Sequence, residues 1–217
     1  MAPGVNWLAG EWPTDVVPAR QPLLFVIAGA SGAGKDTILA ALRPHEPHLH
    51  FVVTTTTRPR RVDELPDVHY HFLTEAEFVR LRAEGGFLET AVVHRHLYGS
   101  PLAEVTAALA RGDDVIVKPD VQGAASIKRR IPQAVLVYVA PGNVGELTAR
   151  LRGRNSEDEV AFAARVAGME RELAEAVHFD YVVVNRMGQV DAAVADLRAI
   201  IQAERLRVRP RVCLLAQ

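Results

Sequence analysis

Four short, mostly apolar runs recur along the chain and set the predicted architecture. They occupy residues 23–28, 114–118, 134–140 and 181–185. Runs of this length without alternation are typical of strands buried on both faces of a sheet. Helical periodicity predicts one helix that ends at residue 43, and further helices over 101–110, 121–130, 144–152, 156–177 and 190–206. Buried strands that alternate with helices indicate βαβ units, so we predict an α/β fold with a parallel sheet flanked by helices.

One stretch of the chain interrupts this alternation. Residues 51–57, 69–72 and 87–93 favour strands, and 58–68 is a polar loop with two prolines. Residues 74–83 favour a helix, in which Thr74 and Glu77 have the spacing of a capping box. We therefore interpret 51–100 as a mixed α/β insertion into a core formed by 22–50 and 101–205.

Both ends of the chain lie outside the periodic pattern. Residues 1–21 contain prolines and no periodicity, which is typical of a loosely ordered extension. Residues 206–217 are basic and then apolar. That pattern leaves open whether this tail packs back on the domain, binds a partner or frays. The predicted domain therefore spans 22–205.

Composition narrows the class of protein. The 217 residues include 25 Lys and Arg and 26 Asp and Glu, and this balance argues against a general binder of nucleic acid or membrane surfaces. No apolar run approaches the roughly 18–20 residues of a membrane span, and the N-terminus lacks a secretory pattern. The single cysteine, Cys213, allows no intrachain disulfide and is consistent with a reducing compartment. We therefore expect a cytoplasmic protein.

The most specific motif of the chain is GASGAGKDT at residues 29–37. It satisfies the P-loop pattern G-x-x-x-x-G-K and lies between a predicted strand and a predicted helix. Small residues let backbone N–H groups and the helix N-terminus face a phosphate, while the lysine reaches the β- and γ-phosphates of a nucleotide. The candidate residues for binding ATP here are Gly29, Ala30, Ser31, Gly32, Ala33, Gly34, Lys35, Asp36 and Thr37.

The residue after the P-loop lysine departs from the motif. The usual Ser or Thr would bind Mg²⁺ through its hydroxyl, whereas this chain has Asp36. A carboxylate is also a hard oxygen ligand, so Asp36 is the candidate Mg²⁺ ligand. The same carboxylate adds negative charge beside the phosphates, and that charge needs compensation.

A cluster of arginines lies in the predicted insertion. Arg58, Arg60 and Arg61 follow a run of four threonines. Arginine forks suit phosphate groups, although such a loop by itself is as often a solvated surface. Beside a P-loop, a second anion site suggests phosphoryl transfer between two phosphorylated ligands.

With these motifs in place, the chain resembles guanylate kinases over about residues 22–205. The resemblance rests on GASGAGKD at 29–36, TTTTRPRR at 54–61, HYHF at 69–72, EGGFLE at 84–89, LYGSP at 97–101, DVQGA at 120–124, RLRGR at 150–154 and FDYVVVN at 179–185. It implies a P-loop NTPase-type core, a GMP-binding region in 51–100 and a short lid at about 150–165. It also implies transfer of the γ-phosphoryl group of ATP to GMP or dGMP, with Mg²⁺ as cofactor, in purine nucleotide metabolism.

The resemblance assigns roles to individual residues. It places Lys35, Arg150, Arg154 and Arg165 at the transferring phosphoryl group, and Asn185 on the adenine side. On the acceptor side it implies Arg58, Arg61, Tyr70 and Tyr98 at the GMP phosphate, Glu64 nearby, and Thr54, Glu89, Ser100 and Asp120 at the base. The chemistry agrees, because the guanine edge presents two donors and one acceptor, which carboxylates and hydroxyls match.

A second departure from the family concerns charge. Most guanylate kinases carry an acidic residue two positions before Asp120, where this chain has Lys118. The changes at Asp36 and Lys118 have opposite sign. We hypothesise that both residues lie at the C-terminal ends of adjacent central strands and compensate each other near the phosphates.

Two alternative functions remain open from the sequence. Ribose 1,5-bisphosphate phosphokinases also have a GKD-type loop, but their acceptor has no base and needs no guanine-reading residues. Guanylate-kinase-like binding modules have lost catalysis and usually lack a complete ATP loop, whereas this chain keeps Lys35. GMP is the favoured acceptor, and either a monomer or a homodimer is compatible with the sequence.

Overall fold

The structure is a computed structural model that describes residues 20–30, 32–93, 95–152 and 173–213. The strands in this part of the chain are β1 (Leu24–Gly29), β2 (Leu49–Phe51), β3 (Thr55–Thr56), β4 (His71–Phe72), β5 (Phe87–Val93), β6 (His96–Pro101), β7 (Asp114–Val117), β8 (Val135–Pro141) and β9 (Tyr181–Asn185). The α-helices are α1 (Lys35–Leu42), α2 (Glu75–Ala83), α3 (Leu102–Ala110), α4 (Val121–Arg130), α5 (Val144–Arg152) and α6 (Val190–Arg205). Short 3₁₀ helices lie at Arg43–His45 and Glu175–His178.

A parallel five-stranded sheet forms the core, with strand order β2-β7-β1-β8-β9. All six residues of β1 are buried. Alternate side chains of β1 enter two apolar clusters: Phe25 packs with residues of α1 and α6, and Val26 packs with residues of α3 and α4. Each such side chain contributes about 1.5–3 kcal/mol when fully buried. The predicted α/β class, with helices on both faces of a parallel sheet, is confirmed.

A second, four-stranded sheet with the order β4-β3-β6-β5 is built from the insertion. β6 pairs antiparallel with β3 and β5, while β3 and β4 are parallel. Helix α2 packs on this sheet through Phe78, whose ring stacks on Phe87 with a centroid distance of 4.5 Å. The predicted capping box is present, because Thr74 Oγ1 accepts from Glu77 N and Glu77 Oε2 accepts from Thr74 N.

The prediction of one strand over 51–57 is wrong. Phe51 ends β2 in the core sheet, whereas Thr55 and Thr56 form β3 in the second sheet. Between them the chain leaves one sheet for the other: Val52 N donates to Ile116 O, and His71 N donates to Thr54 O. β-Branched residues favour a strand at most of these positions, but only the neighbouring strands decide which sheet each residue joins.

Two further predicted elements differ from the structure. The short strand predicted over 69–72 forms only at His71–Phe72, and Tyr70 instead makes an isolated bridge to Pro66. Most of the helix predicted over 156–177 lies outside the described residues. Its last residues form part of the 3₁₀ helix Glu175–His178.

The described part of the C-terminal tail packs back on the core. Arg211 Nε donates to Glu204 Oε2 at 2.9 Å, and Cys213 packs against an apolar cluster of the sheet. Nearby, the buried Asp114 carboxylate accepts from Arg20 and Arg205. These charged contacts attach both ends of the domain to the core sheet. Among the helices of the described residues, none combines the length and apolar composition needed to cross a membrane.

Candidate active site

The P-loop turns at the end of β1 and leads into α1. A Cβ on Gly29 would lie 2.2 Å from Val139 O of the neighbouring strand, so only glycine fits there. Gly34 precedes α1 in the left-handed region, with φ 89°. Lys35 Nζ donates to Gly29 O at 2.6 Å and to Ala30 O at 3.2 Å. The ammonium therefore lies against the loop, close to the helix N-terminus that can face an anion.

The structure brings the candidate ATP-side residues into this one turn, apart from Ser31, which lies outside the described residues, and Asn185. Asn185 ends β9 and is buried, and its Nδ2 donates to Ala33 O at 2.7 Å. This contact attaches the P-loop to β9, an edge strand of the core sheet. The adenine contact of Asn185 stays a prediction.

Asp36 and Lys118 form an ion pair between Oδ1 and Nζ. Lys118 follows β7, which is the parallel neighbour of β1. The predicted meeting of the two residues is therefore confirmed, although Asp36 lies in the first turn of α1 and not at the end of a strand. Burial lowers the pKa of Lys118, but the Asp36 carboxylate and Tyr70 act in the opposite direction, and the net effect raises it. Lys118 is consequently a cation at neutral pH.

In the arginine loop, the Glu64 carboxylate accepts hydrogen bonds from two arginines of the loop. Arg58 Nη2 donates to Glu64 Oε1 at 2.6 Å, and Arg61 N donates to Glu64 Oε2 at 2.9 Å. Burial by itself would raise the pKa of Glu64, but hydrogen bonds from Arg58 and Arg61 outweigh this effect and lower the pKa. Glu64 therefore stays ionised. The loop thus holds the Arg58 guanidinium in place, while Arg61 as a whole is exposed.

Two tyrosines line the same region. The Arg58 guanidinium lies 5.5 Å from the centroid of the Tyr70 ring. The rings of Tyr70 and Tyr98 meet edge to face, with centroids 6.2 Å apart. Arg58, Tyr70 and Tyr98 therefore form one cluster with a cation and two hydroxyls, which suits a phosphate group.

The predicted base-reading residues meet where β5, β6 and α4 come together. Glu89 and Ser100 are opposite each other across β5 and β6, and Glu89 Oε1 accepts from Ser100 Oγ at 2.8 Å and from Ser100 N at 3.1 Å. Asp120 caps α4, because its Oδ1 accepts from Gly123 N at 2.7 Å. Thr54 is buried beside β3.

Burial gives Glu89 an unusual protonation equilibrium. The residue is only 6% exposed. Burial raises the pKa of Glu89 to about 7, the hydrogen bonds from Ser100 act in the opposite direction, and the neighbouring Asp120 carboxylate adds to the increase. A carboxyl group held near its titration point can accept hydrogen bonds from a ligand and change its charge when it does so.

The sequence analysis missed one residue that lies beside Glu89, namely Gly123. A Cβ at Gly123 would lie 2.7 Å from Glu89 Oε2 and 2.8 Å from Pro119 Cβ. A glycine in the first turn of a helix is unfavourable there by about 1 kcal/mol relative to alanine, and this cost was the available signal. Gly123 thus lets α4 approach Glu89 closely.

A histidine of the core sheet lies beside the segment that leads into the insertion. His50 lies in β2, and its Nε2 is 2.8 Å from Glu104 Oε1. Glu104 Oε1 also accepts from Val53 N, in the segment that connects the two sheets. Glu104 of α3 thus fixes the start of the insertion to the core.

The structure describes only one of the three predicted lid arginines. Arg150 belongs to α5, and Arg154 and Arg165 lie outside the described residues. Their roles stay predictions. Within the described ranges, no group of three or more His, Cys, Asp or Glu residues is arranged to hold a metal ion.

The parallel core sheet and its phosphate loop define the class of protein, an α/β P-loop NTPase-type fold, here with a second sheet formed by the insertion. A family model described as guanylate kinase matches residues 21–204. A guanylate kinase of Carboxydothermus hydrogenoformans is 38% identical over 195 residues, which cover 88% of this chain and 95% of that protein. A guanylate kinase of Thermus thermophilus is 44% identical over 186 residues, which cover 85% of this chain and 82% of that protein.

The structure is also similar to that of a guanylate kinase. The crystal structure of guanylate kinase from Anaplasma phagocytophilum superimposes with a TM-score of 0.71 at 23% identity, and the match covers 87% of this chain and 88% of that chain. The chain belongs to the guanylate kinase family. It is therefore a nucleoside monophosphate kinase that phosphorylates GMP with ATP.

Proposed function

We propose that the phosphoryl transfer takes place between ATP on the P-loop and GMP or dGMP in the insertion, with the residue roles given below. The observation that carries this proposal is the buried pair of Glu89 and Ser100 beside Asp120. A buried carboxylate is costly unless donors satisfy its oxygens. Ser100 donates to Glu89 Oε1, and guanine N1–H and the 2-amino group would supply further donors to Glu89 and Asp120. An acceptor without a base would supply none of these.

On the donor side, the backbone of 29–34 and Lys35 would hold the β- and γ-phosphates. The reaction needs no general base, because the attacking GMP phosphate oxygen is already ionised. Lys35 and the lid residues Arg150, Arg154 and Arg165 would stabilise charge on the transferring group. Closure over the two nucleotides would exclude water, which otherwise competes as acceptor.

On the acceptor side, Arg58, Arg61, Tyr70 and Tyr98 would hold the GMP phosphate. Glu64 would act through Arg58, since it binds that guanidinium at 2.6 Å. Thr54 would donate to guanine O6, and Ser100 would do so once its hydroxyl turns away from Glu89, to which it donates at 2.8 Å. Glu89 and Asp120 would accept from the two guanine donors. Because Asp120 Oδ1 caps α4, its other oxygen would serve the base.

The donor set fits a divalent ion that is held mainly by ATP. Mg²⁺ in nucleotide sites uses one or two protein oxygens and otherwise phosphates and water. Asp36, whose side chain is 70% exposed, and the exposed Thr37 present such oxygens at the start of α1. When bound, Mg²⁺ would neutralise phosphate charge. Its direct or water-mediated contact with Asp36 is part of the proposal.

The test is ADP release from ATP·Mg²⁺ by the purified protein, with GMP, dGMP, AMP and ribose 1,5-bisphosphate offered in parallel. We expect turnover with GMP and dGMP and at least about 10⁴-fold lower kcat/KM with AMP, because AMP leaves Glu89 unmatched. Turnover only with ribose bisphosphate would reject the base-reading roles. A folded protein that binds GMP but turns over no acceptor would instead be a binding module.

We further propose that the enzyme works in the cytoplasm as a monomer or a homodimer. The single cysteine and the near balance of acidic and basic residues support this location. Cell fractionation of the tagged protein tests the location, and light scattering of the purified protein measures the mass. A membrane-bound fraction or a larger assembly would contradict the proposal.

A further inference from the structure

Lys118 carries its charge between the donor loop and the acceptor cluster. Its Nζ contacts Asp36 Oδ1, one residue after the P-loop lysine. The same Nζ lies 5.2 Å from the centroid of the Tyr70 ring, and Tyr70 in turn packs under Arg58. One ammonium therefore contacts residues of both predicted phosphate sites.

The two partners of this ion pair differ in their exposure. The Lys118 side chain is 19% exposed, whereas that of Asp36 is 70% exposed. Water screens an exposed carboxylate, so the pair by itself contributes little to stability. The Lys118 ammonium thus lies in a largely buried place, where a further anion would interact with it more strongly than in solvent.

A second lysine of the core shows the contrast. Lys128 Nζ donates to Ala134 O at 2.8 Å and to Asp180 Oδ2 at 3.0 Å, and both side chains of this pair are similarly exposed, at 30% and 25%. Lys128 thus connects α4 to neighbouring backbone and side chain. It lies at the C-terminal end of α4, whereas the nucleotide site is at its N-terminal end, and it provides a matched control.

We propose that Lys118 is a further catalytic residue, whose ammonium binds the phosphoryl group as it passes from the donor to the acceptor. Asp36 holds the ammonium in position before the ligands bind. The inference rests on the proposed function, since it requires both nucleotides at once. An ammonium has three donors and no acceptor, so phosphate oxygens between the two sites are suitable partners.

This role predicts a specific pattern of binding. A ligand that occupies either site alone leaves the space between the sites without the transferred group. A bisubstrate analogue, in which a pentaphosphate bridge joins adenosine to guanosine, fills that space with phosphate. Lys118 should therefore matter for the analogue and little for ADP or GMP alone.

The experiment measures binding of the analogue, ADP and GMP by isothermal titration calorimetry with Mg²⁺ present. The proteins are the full chain, Lys118→Met, Lys118→Arg and the control Lys128→Met. We expect Lys118→Met to weaken the analogue at least about tenfold, as for loss of a hydrogen bond to a charged group, with less than about threefold change for ADP and GMP. Lys118→Arg should recover part of the loss, and Lys128→Met should bind all three ligands as the parent does.

Two results would overturn the inference. Equal weakening of all three ligands by Lys118→Met would show a structural role, and unchanged binding of the analogue would show no role at all. If Lys118→Met does not fold, Lys118→Gln replaces it, with the same expected pattern. Turnover by the parent chain separates the two proposals. If the parent chain does not phosphorylate GMP, the proposed function fails. If it does, and Lys118→Met does not selectively lose affinity for the analogue, only the inference about Lys118 fails.

Discussion

The two sheets of this protein differ in the side chains at their buried positions. In the core sheet, β1, β7 and β8 fill both faces mainly with apolar side chains, Phe25 among them. In the insertion, buried positions on or beside the strands include Thr54, Glu89 and Ser100. Apolar burial stabilises the fold directly, whereas buried polar groups need partners. The core sheet therefore contributes mainly stability, whereas the insertion holds the buried polar groups that the proposed GMP site would use.

The largest expected effect tests the core side of this comparison. Phe25→Ala in β1 removes a fully buried ring, and we expect unfolding free energy to fall by about 3–5 kcal/mol. Urea unfolding measures the change. The matched control is Val92→Ala in β5, where the side chain is 67% exposed and the expected change is within about 0.5 kcal/mol. Similar losses in both variants would contradict the contrast between the sheets.

The next effect concerns the insertion and changes binding rather than stability. Glu89→Gln replaces an acceptor by a group with one donor and one acceptor, so the contact with the guanine donors is weakened. We expect KM for GMP to rise about 10- to 100-fold, with KM for ATP unchanged. Steady-state kinetics measure both constants. Glu84→Gln, at an exposed position near the end of α2, should leave both at the parent values, and an unchanged KM in Glu89→Gln would remove Glu89 from the site.

A smaller effect follows from the protonation of Glu89. Burial raises its pKa from 4.5 to about 7, so between these values the folded protein keeps a proton that the unfolded chain loses. The free energy of unfolding should therefore fall by roughly 3 kcal/mol as pH rises from 4.5 through 7, and it should level off with respect to this group above the folded-state pKa. Glu89→Gln should lack this decrease. Urea unfolding of both proteins at several pH values gives the difference, and parallel curves would contradict the shift.

GMP binding should have the complementary pH dependence. In the proposed site the Glu89 carboxylate accepts from guanine, and it does so best when ionised, so binding favours loss of the proton from Glu89. Affinity for GMP should rise as pH increases towards about 7, relative to Glu89→Gln. Calorimetry in buffers of different ionisation enthalpy counts the proton released, and no release at a pH slightly below that value would count against this role.

The smallest effect sharpens the comparison at the edge of the insertion. Thr74→Ala removes the two contacts of the Thr74 hydroxyl, with Glu77 N and Glu77 Oε2, at the start of α2. We expect a loss of about 1 kcal/mol. Hydrogen exchange should show the loss in α2 and its neighbours, while β1 keeps its protection. Equal loss of protection in β1 would mean that the two sheets open together.

Much of the fold was predictable from local pattern. The runs that became β1, β7, β8 and β9 are apolar enough to indicate buried strands, and the P-loop motif carried its own strand and helix context. The capping box was predictable because its two residues are three positions apart. The pairing of Asp36 with Lys118 was predictable only after both departures from the family had been noticed.

Other features depended on contacts between distant residues. The division of 51–57 between two sheets follows from pairing with β7 on one side and with β4 and β6 on the other. The contact of Asn185 with Ala33 joins residues 152 positions apart. No local pattern contains such partners.

The sequence by itself determined the chemistry of this protein, because a phosphate loop and an arginine cluster are specified by the residues present and their spacing. Tertiary structure alone decided how that chemistry is tuned. It buries Glu89 against Ser100 and Gly123, which raises its pKa, and it places the Lys118 ammonium between Asp36 and Tyr70. The physical reason is that burial and electrostatic interaction depend on which atoms are neighbours in space, and the folded sheets bring these neighbours together.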